Sequence, residues 1–171
     1  MGGTFNAFHR GHRALLDKAF DVGDEVAIGL TTDLFAASRK EKIIPFEQRR
    51  EELERYLHTK DRRWSIIPID RPAGNADESD INALVVSPET LPGAQAIDYE
   101  RRRRGLPSIE LIVVPHVLAE DCTPISSGRV MSGEIDREGR LLRPLMVNVG
   151  SDNRIKVDAV SNVLSKLYSE V

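Results

Sequence analysis

Short apolar runs of strand length alternate along this chain with segments whose apolar residues recur every three or four positions. Ala14 to Val22 reads as an amphipathic helix, with Leu15, Leu16, Ala19 and Phe20 on one face and Gly23 to stop it. Glu25 to Thr31 (EVAIGLT), Trp64 to Ile69 (WSIIPI), Ala83 to Ser87 (ALVVS) and Ile109 to Val114 (IELIVV) read as strands. Pro68 marks its strand as ending there or lying at a sheet edge. Phe46 to His58 predicts a charged helix that packs through Phe46, Leu53, Tyr56 and Leu57. Pro88 to Arg104 contains another helix, closed by Gly105 and Pro107, and a short one begins at Ser126 and ends near Gly133. Beyond Arg143, Leu145 to Val149 (LMVNV) has the pattern of a strand. A helix follows it, with Val157, Val160, Val163, Leu164 and Leu167 on one face.

Strands that are apolar on both faces and alternate with helices predict an α/β fold, a Rossmann-like doubly wound parallel sheet covered by helices on each side. Crossovers should be right-handed, and ligands should bind at the carboxyl ends of the strands where the strand order reverses. The first strand is nearly absent. The turn Gly2-Gly3-Thr4-Phe5 stands at the head of the chain, where a central strand should lead into it. Either the natural start lies upstream or another segment fills the slot. Leu145 to Val149 is the candidate, in cis or by exchange with a neighbouring chain. The expected domains are 1–143 and a strand–turn–helix tail, 144–171.

Composition narrows the class. A length of 171 residues fits one domain with an appendage. The net charge of −3 argues against a general nucleic-acid binder, so positive charge for handling phosphates must be concentrated locally. The one cysteine, Cys122, leaves no intramolecular disulfide and reads as a loop residue, which fits an intracellular, cytoplasmic protein. No apolar run approaches the ~18 residues needed to span a membrane, and no signal-peptide pattern is visible. The oligomeric state stays open between a monomer and a small homo-oligomer.

The chemistry concentrates in Gly2-Gly3-Thr4-Phe5-Asn6-Ala7-Phe8-His9-Arg10-Gly11-His12. Small residues let a backbone come close to an anion. The helix that follows points its free N–H groups and positive dipole end at the same place. His9 and His12, at i and i+3, fall on one side of that helix start and can donate to phosphoryl oxygens.

Four landmarks in order carry a resemblance. They are GGTFNAFHRGH (2–12), the stretch from Thr32-Asp33 to Pro45-Phe46-Glu47-Gln48-Arg49, Val85-Val86-Ser87-Pro88-Glu89-Thr90, and Pro124-Ile125-Ser126-Ser127-Gly128-Arg129 followed by Gly133-Glu134-Ile135-Asp136. Residues 2–140 resemble the phosphopantetheine adenylyltransferases of archaeal and eukaryotic type, within the HxGH nucleotidyltransferase superfamily. The resemblance implies transfer of adenylate from ATP to 4′-phosphopantetheine, giving dephospho-coenzyme A and pyrophosphate with magnesium. It implies that His9, His12, Lys42 and Arg129 carry the catalysis. His9 and His12 would face the ATP phosphates, and Thr4 the acceptor phosphate. Ser126, Ser127 and Arg129 would hold the β- and γ-phosphates, and Lys42, with Lys40 in competition, would meet the acceptor phosphate. Gly3, Phe5, Gly11, Ser87 and Glu89 complete the expected binding set, and no protein ligands for a metal are identified. Gly128 stands where the family commonly has threonine, which removes one hydroxyl contact and predicts modestly altered ATP affinity. The tail, VNVGSDNRIKVDAV, resembles the opening strand–turn–helix of the inosine/xanthosine triphosphatase family, with Arg154 where proline is usual. A fragment this short cannot carry that activity alone.

The reaction class needs no general base, because a phosphate monoester is largely a dianion at neutral pH, with a second pKa of about 6. Catalysis would come from aligning two polyanions and stabilising the charge that develops. Two other readings stay open: another phosphorylated acceptor such as flavin mononucleotide, and nucleotide binding without turnover. Among the remaining residues, Arg101 to Arg104 read as a solvated helix end, and Arg49 as either a phosphate contact or a surface partner of Glu52 or Glu54. Trp64 reads as packing, and His58 and His116 as structural or exposed.

Overall fold

The computed structural model describes residues 1–38, 42–78, 80–144 and 147–167. The elements run β1 (Gly2–Gly3), α1 (Arg10–Val22), β2 (Glu25–Thr31), α2 (Asp33–Ala37), α3 (Phe46–Leu57), β3 (Arg63–Ile69), β4 (Ala83–Val86), α4 (Leu91–Arg103), β5 (Glu110–Val113), α5 (Ser127–Met131) and α6 (Arg154–Leu167). β1, β2 and β3 pair in that order and in parallel, with Gly29 opposite both Gly2 and Ile67. β4 and β5 form a second parallel ladder, with Ala83 opposite Glu110. β3 lies at an edge, where Pro68 is tolerated because the missing N–H faces no partner strand.

Alternation within each strand sorts residues between two cores. Val26, Ile28, Leu30 and Val85 meet Leu16, Ala19 and Phe20 of α1 and Leu53 and Leu57 of α3. On the opposite face Leu84 and Val86 meet Ala94 of α4 and Ile109. Helices therefore cover both faces, as a doubly wound sheet requires. A third, small core of Ala119, Ile125 and Ile135 closes the segment that carries α5.

The parallel α/β fold and the nearly absent first strand are as expected, and the strands fall into two ladders. β1 is two residues long and hydrogen-bonds only to β2, which leaves the two ladders separate although they share a core. Among the described residues no part of the tail pairs with the sheet. Residues 147–149 form no strand, and Leu145 and Met146 lie outside the described residues. From Ala27 to Leu30 the pairing edge of β2 is occupied by the head of the chain. The Met1 nitrogen donates to Ala27 O at 3.1 Å, and Gly29 N–H donates to Met1 O at 2.9 Å. The tail's helix does form, but its face stays open, with Ile155 80% and Val163 56% exposed.

Candidate active site

The HxGH segment builds its own helix start. His9 is the N-cap of α1, and its Nδ1 accepts the Gly11 N–H at 3.1 Å. His12, at the third helical position, returns the contact, its Nδ1 accepting the His9 N–H at 3.3 Å. This is a capping box made of two histidines. An imidazole whose Nδ1 accepts carries its proton on Nε2, so the pair presents two Nε2–H donors. The rings stack with centroids 3.8 Å apart. Gly11 is what permits this: a Cβ there would sit 3.0 Å from His9 Cε1.

The turn ahead of the helix bends where no glycine stands. Phe5 (φ 49°) and Ala7 (φ 46°) occupy the left-handed region, at a cost of about 1–2 kcal/mol each for a residue with a side chain. Gly2 and Gly3 instead form the strand. The bend is held from outside by Asn6, which is 1% exposed. Its Oδ1 accepts the Ile44 N–H at 2.8 Å, and its Nδ2 donates to Lys42 O at 3.0 Å and reaches Met131 Sδ.

A cleft of about 620 Å³ opens beside this turn. Gly3, Thr4, Phe5, His12, Ser87 and Glu89 of the expected set line it. Its floor is the sheet face of Ala27, Gly29, Thr31, Ile67 and Ile69, and α4 contributes Gly93, Ala94 and Ile97. The loop 72–76 lines it as well. At the carboxyl end of β4, Ser87 N–H donates to Thr90 Oγ1 at 3.0 Å, which fixes the turn that presents Glu89.

The rest of the expected set is not among the cleft's lining residues. His9 stacks on cleft-lining His12, and Gly11 stands close enough to α5 that a Cβ on it would lie 3.8 Å from Ile125 O. Ser126 caps α5, its Oγ accepting the Arg129 N–H at 3.4 Å, and Ser127 is buried. Lys42 is exposed. Lys40 lies outside the described residues. Arg129 turns inward: its Nε donates to Glu134 at 2.7 Å, and its Nη2 pairs with Asp121. Burial alone would lift the Asp121 carboxyl, but the Thr123 N–H and the Arg129 guanidinium outweigh it and hold it below the usual carboxylate range. Among the described residues no group of three or more His, Cys, Asp or Glu side chains could hold a metal ion.

Two arginines were misread from the sequence. Arg49 is neither a surface partner of Glu52 or Glu54 nor at the cleft surface. Its side chain is fully buried and donates to Ile44 O, Thr4 O, Thr31 O and Asp33 Oδ1 at 2.6–2.9 Å. Glu52 instead accepts from Phe8 N–H and Arg137, and Glu54 pairs with exposed Arg50. Arg101, 1% exposed, is not solvated; it donates to Ala76 O at 2.9 Å and Pro107 O at 3.2 Å, which ties the cleft-lining loop to α4. Arg102, Arg103 and Arg104 do lie at the surface, paired with Asp98, Glu100 and Asp77. Trp64 packs, edge-on to His58 at 5.2 Å.

Comparison with known proteins gives a consistent picture. The cytidylyltransferase-like family matches residues 1–132. A phosphopantetheine adenylyltransferase of Methanothermobacter thermautotrophicus is 46% identical over 145 residues, covering 84% of this chain and 88% of that protein. A bifunctional phosphopantetheine adenylyltransferase/NTP phosphatase of Thermoplasma volcanium is 43% identical over 169 residues, covering 98% of this chain and 52% of the relative. The chain thus spans about half the length of that relative and of its Thermoplasma acidophilum counterpart. A crystal structure of an Archaeoglobus fulgidus protein of unknown function superposes with a TM-score of 0.62 at 36% identity, over 66% of this chain and 85% of that one. The chain belongs to the cytidylyltransferase-like family and, within it, to the group of the archaeal phosphopantetheine adenylyltransferases.

Proposed function

We propose that this chain transfers adenylate from ATP to 4′-phosphopantetheine, a step of coenzyme A synthesis. The observation that carries the reading is the cleft. Thr4, the His12 ring, Ser87 and Glu89 supply polar groups to its lining, and Ala27, Gly29, Ile67 and Ile69 give it a small-residue, apolar floor. A phosphate at those polar groups with an extended, amide-bearing arm along the floor suits that division. A planar tricyclic acceptor such as flavin mononucleotide suits it less well.

In the proposed reaction an oxygen of the acceptor phosphate attacks the α-phosphorus of ATP. The bond from that phosphorus to the bridging oxygen breaks, and pyrophosphate leaves with the electron pair. The nucleophile arrives ionised, so the residues need only align the two polyanions and take up developing charge. His9 and His12 would do so through their Nε2–H donors, with Lys42 and Thr4 on the acceptor phosphate. Gly3, Phe5 and Gly11 would shape the turn, and Ser87 and Glu89 the rim. Ser126, Ser127 and Arg129 would meet the outer phosphates, and Arg129 would have to exchange carboxylate for phosphate to do so. Magnesium, bound with the nucleotide, would offset phosphate charge and stabilise the charge that develops on the leaving pyrophosphate. Among the described residues no helix is long and apolar enough to cross a membrane, and the cytoplasm, which holds ATP, is the compartment that fits.

Pyrophosphate release tests the reading, with ATP and magnesium present and either 4′-phosphopantetheine or flavin mononucleotide as acceptor. Release with phosphopantetheine alone is the expected outcome. Release with the flavin alone moves the chain to another acceptor, and silence with both, while ATP still binds, leaves nucleotide binding as the activity.

A further inference from the structure

The Arg49 guanidinium lies wholly inside the protein, yet its partners are the main chain of the site and not a matched carboxylate alone. Nη1 donates to Thr4 O at 2.8 Å and to Thr31 O at 2.9 Å. Nε donates to Ile44 O at 2.6 Å, and Nη2 to Asp33 Oδ1 at 2.7 Å. A guanidinium is a planar fork whose donor directions are fixed relative to one another. It therefore sets the end of β2, the turn at Thr4 and the strap 42–45 at fixed mutual positions. Asn6 completes the grip by taking the Ile44 N–H and donating to Lys42 O. Ile44 thus has both main-chain polar groups held, two residues from Lys42.

We propose that Arg49 is a positioning residue for the acceptor, holding Thr4 and the Lys42 strap in one frame. The proposal rests on the phosphopantetheine reading above. A merely structural arginine would lower stability and affect both substrates alike. A positioning arginine affects the acceptor and leaves ATP alone. Its effect also passes through Lys42, so the two residues are coupled.

The test uses Arg49→Lys, which keeps a cation and loses the fork, with exposed Arg50→Gln as a control. Arg49→Lys is expected to raise the KM for phosphopantetheine about tenfold or more, with the KM for ATP changed by less than about twofold. In a Lys42→Ala background the same substitution should add less than about threefold. Should Arg49→Lys not fold, Asp33→Ala takes its place, because that carboxylate is half exposed and its loss frees one arm of the fork; a rise in acceptor KM alone is again expected. Equal rises for both substrates, or the full effect in both backgrounds, overturn the proposal. Hydrogen exchange supplies a readout independent of the acceptor: the Ile44 amide should exchange faster in the variant while Ile28 and Leu30 stay protected. Unchanged exchange at Ile44 also overturns it. A wild-type chain silent toward phosphopantetheine would overturn the function reading and the acceptor role with it, while exchange still decides whether Arg49 holds the frame.

Discussion

Through Nδ1, His9 accepts the Gly11 N–H and so caps α1, while its ring stacks on the cleft-lining His12. Substitution can separate the two roles. His9→Ala removes a cap, at about 1 kcal/mol of stability, and the phosphate donor proposed above, at an expected cost of about a hundredfold in turnover. His9→Asn supplies a good cap but no Nε2–H, so the melting temperature should recover while turnover stays low. Melting curves and pyrophosphate release on the two variants check this, and near-normal turnover in His9→Asn would sink the donor role. The histidines were legible because their spacing is local. Arg49 was not. In Phe46-Glu47-Gln48-Arg49-Arg50-Glu51, two adjacent arginines look alike, and only the positions of Thr4, Thr31 and Ile44, distant in sequence, decide which one goes inside. Asn6 was hidden for the same reason.

At the scale of elements, β2 through β5 and the longer helices were legible because their patterns are long enough to average out. The five-residue α2 and the two-residue β1 carry no period. Leu145 to Val149 has a strand's pattern, but of it only 147–149 are described, and these form no strand. The junction of α4 and β5 gives an element-level prediction. Asp98 is 3% exposed and accepts the Ile109 N–H at 2.8 Å, with Arg102 pairing from one turn on. That N–H first, and the guanidinium second, hold its carboxyl below the usual range. A carboxyl depressed on folding stabilises the native state fully above its unfolded pKa of about 4, and the contribution fades as pH falls through the folded value. Asp98→Asn still accepts from Ile109 but does not titrate. Its deficit in urea midpoint should therefore be present at pH 7 and shrink toward pH 3. A deficit that is constant across that range would show that the charge on Asp98 contributes nothing.

For the whole molecule, the question is whether the tail belongs to the fold. Without it α1 and α3 cover one face of the sheet, α4 packs on β4 and β5, and the small core around Ile135 closes before residue 143. Arg143 itself anchors to Ser132 O at 3.1 Å, so the body is tied down just ahead of the tail. Helix α6 leaves Ile155 and Val163 open, which means that its burial adds little to stability here. Truncation after Arg143 should thus shift the melting temperature by less than about 2 °C, which for a chain of this size is under about 1 kcal/mol. A larger fall would make the tail an integral layer. If the full-length melting temperature also rose with protein concentration while that of the truncated chain did not, the tail would mediate association between chains, because association makes stability depend on concentration.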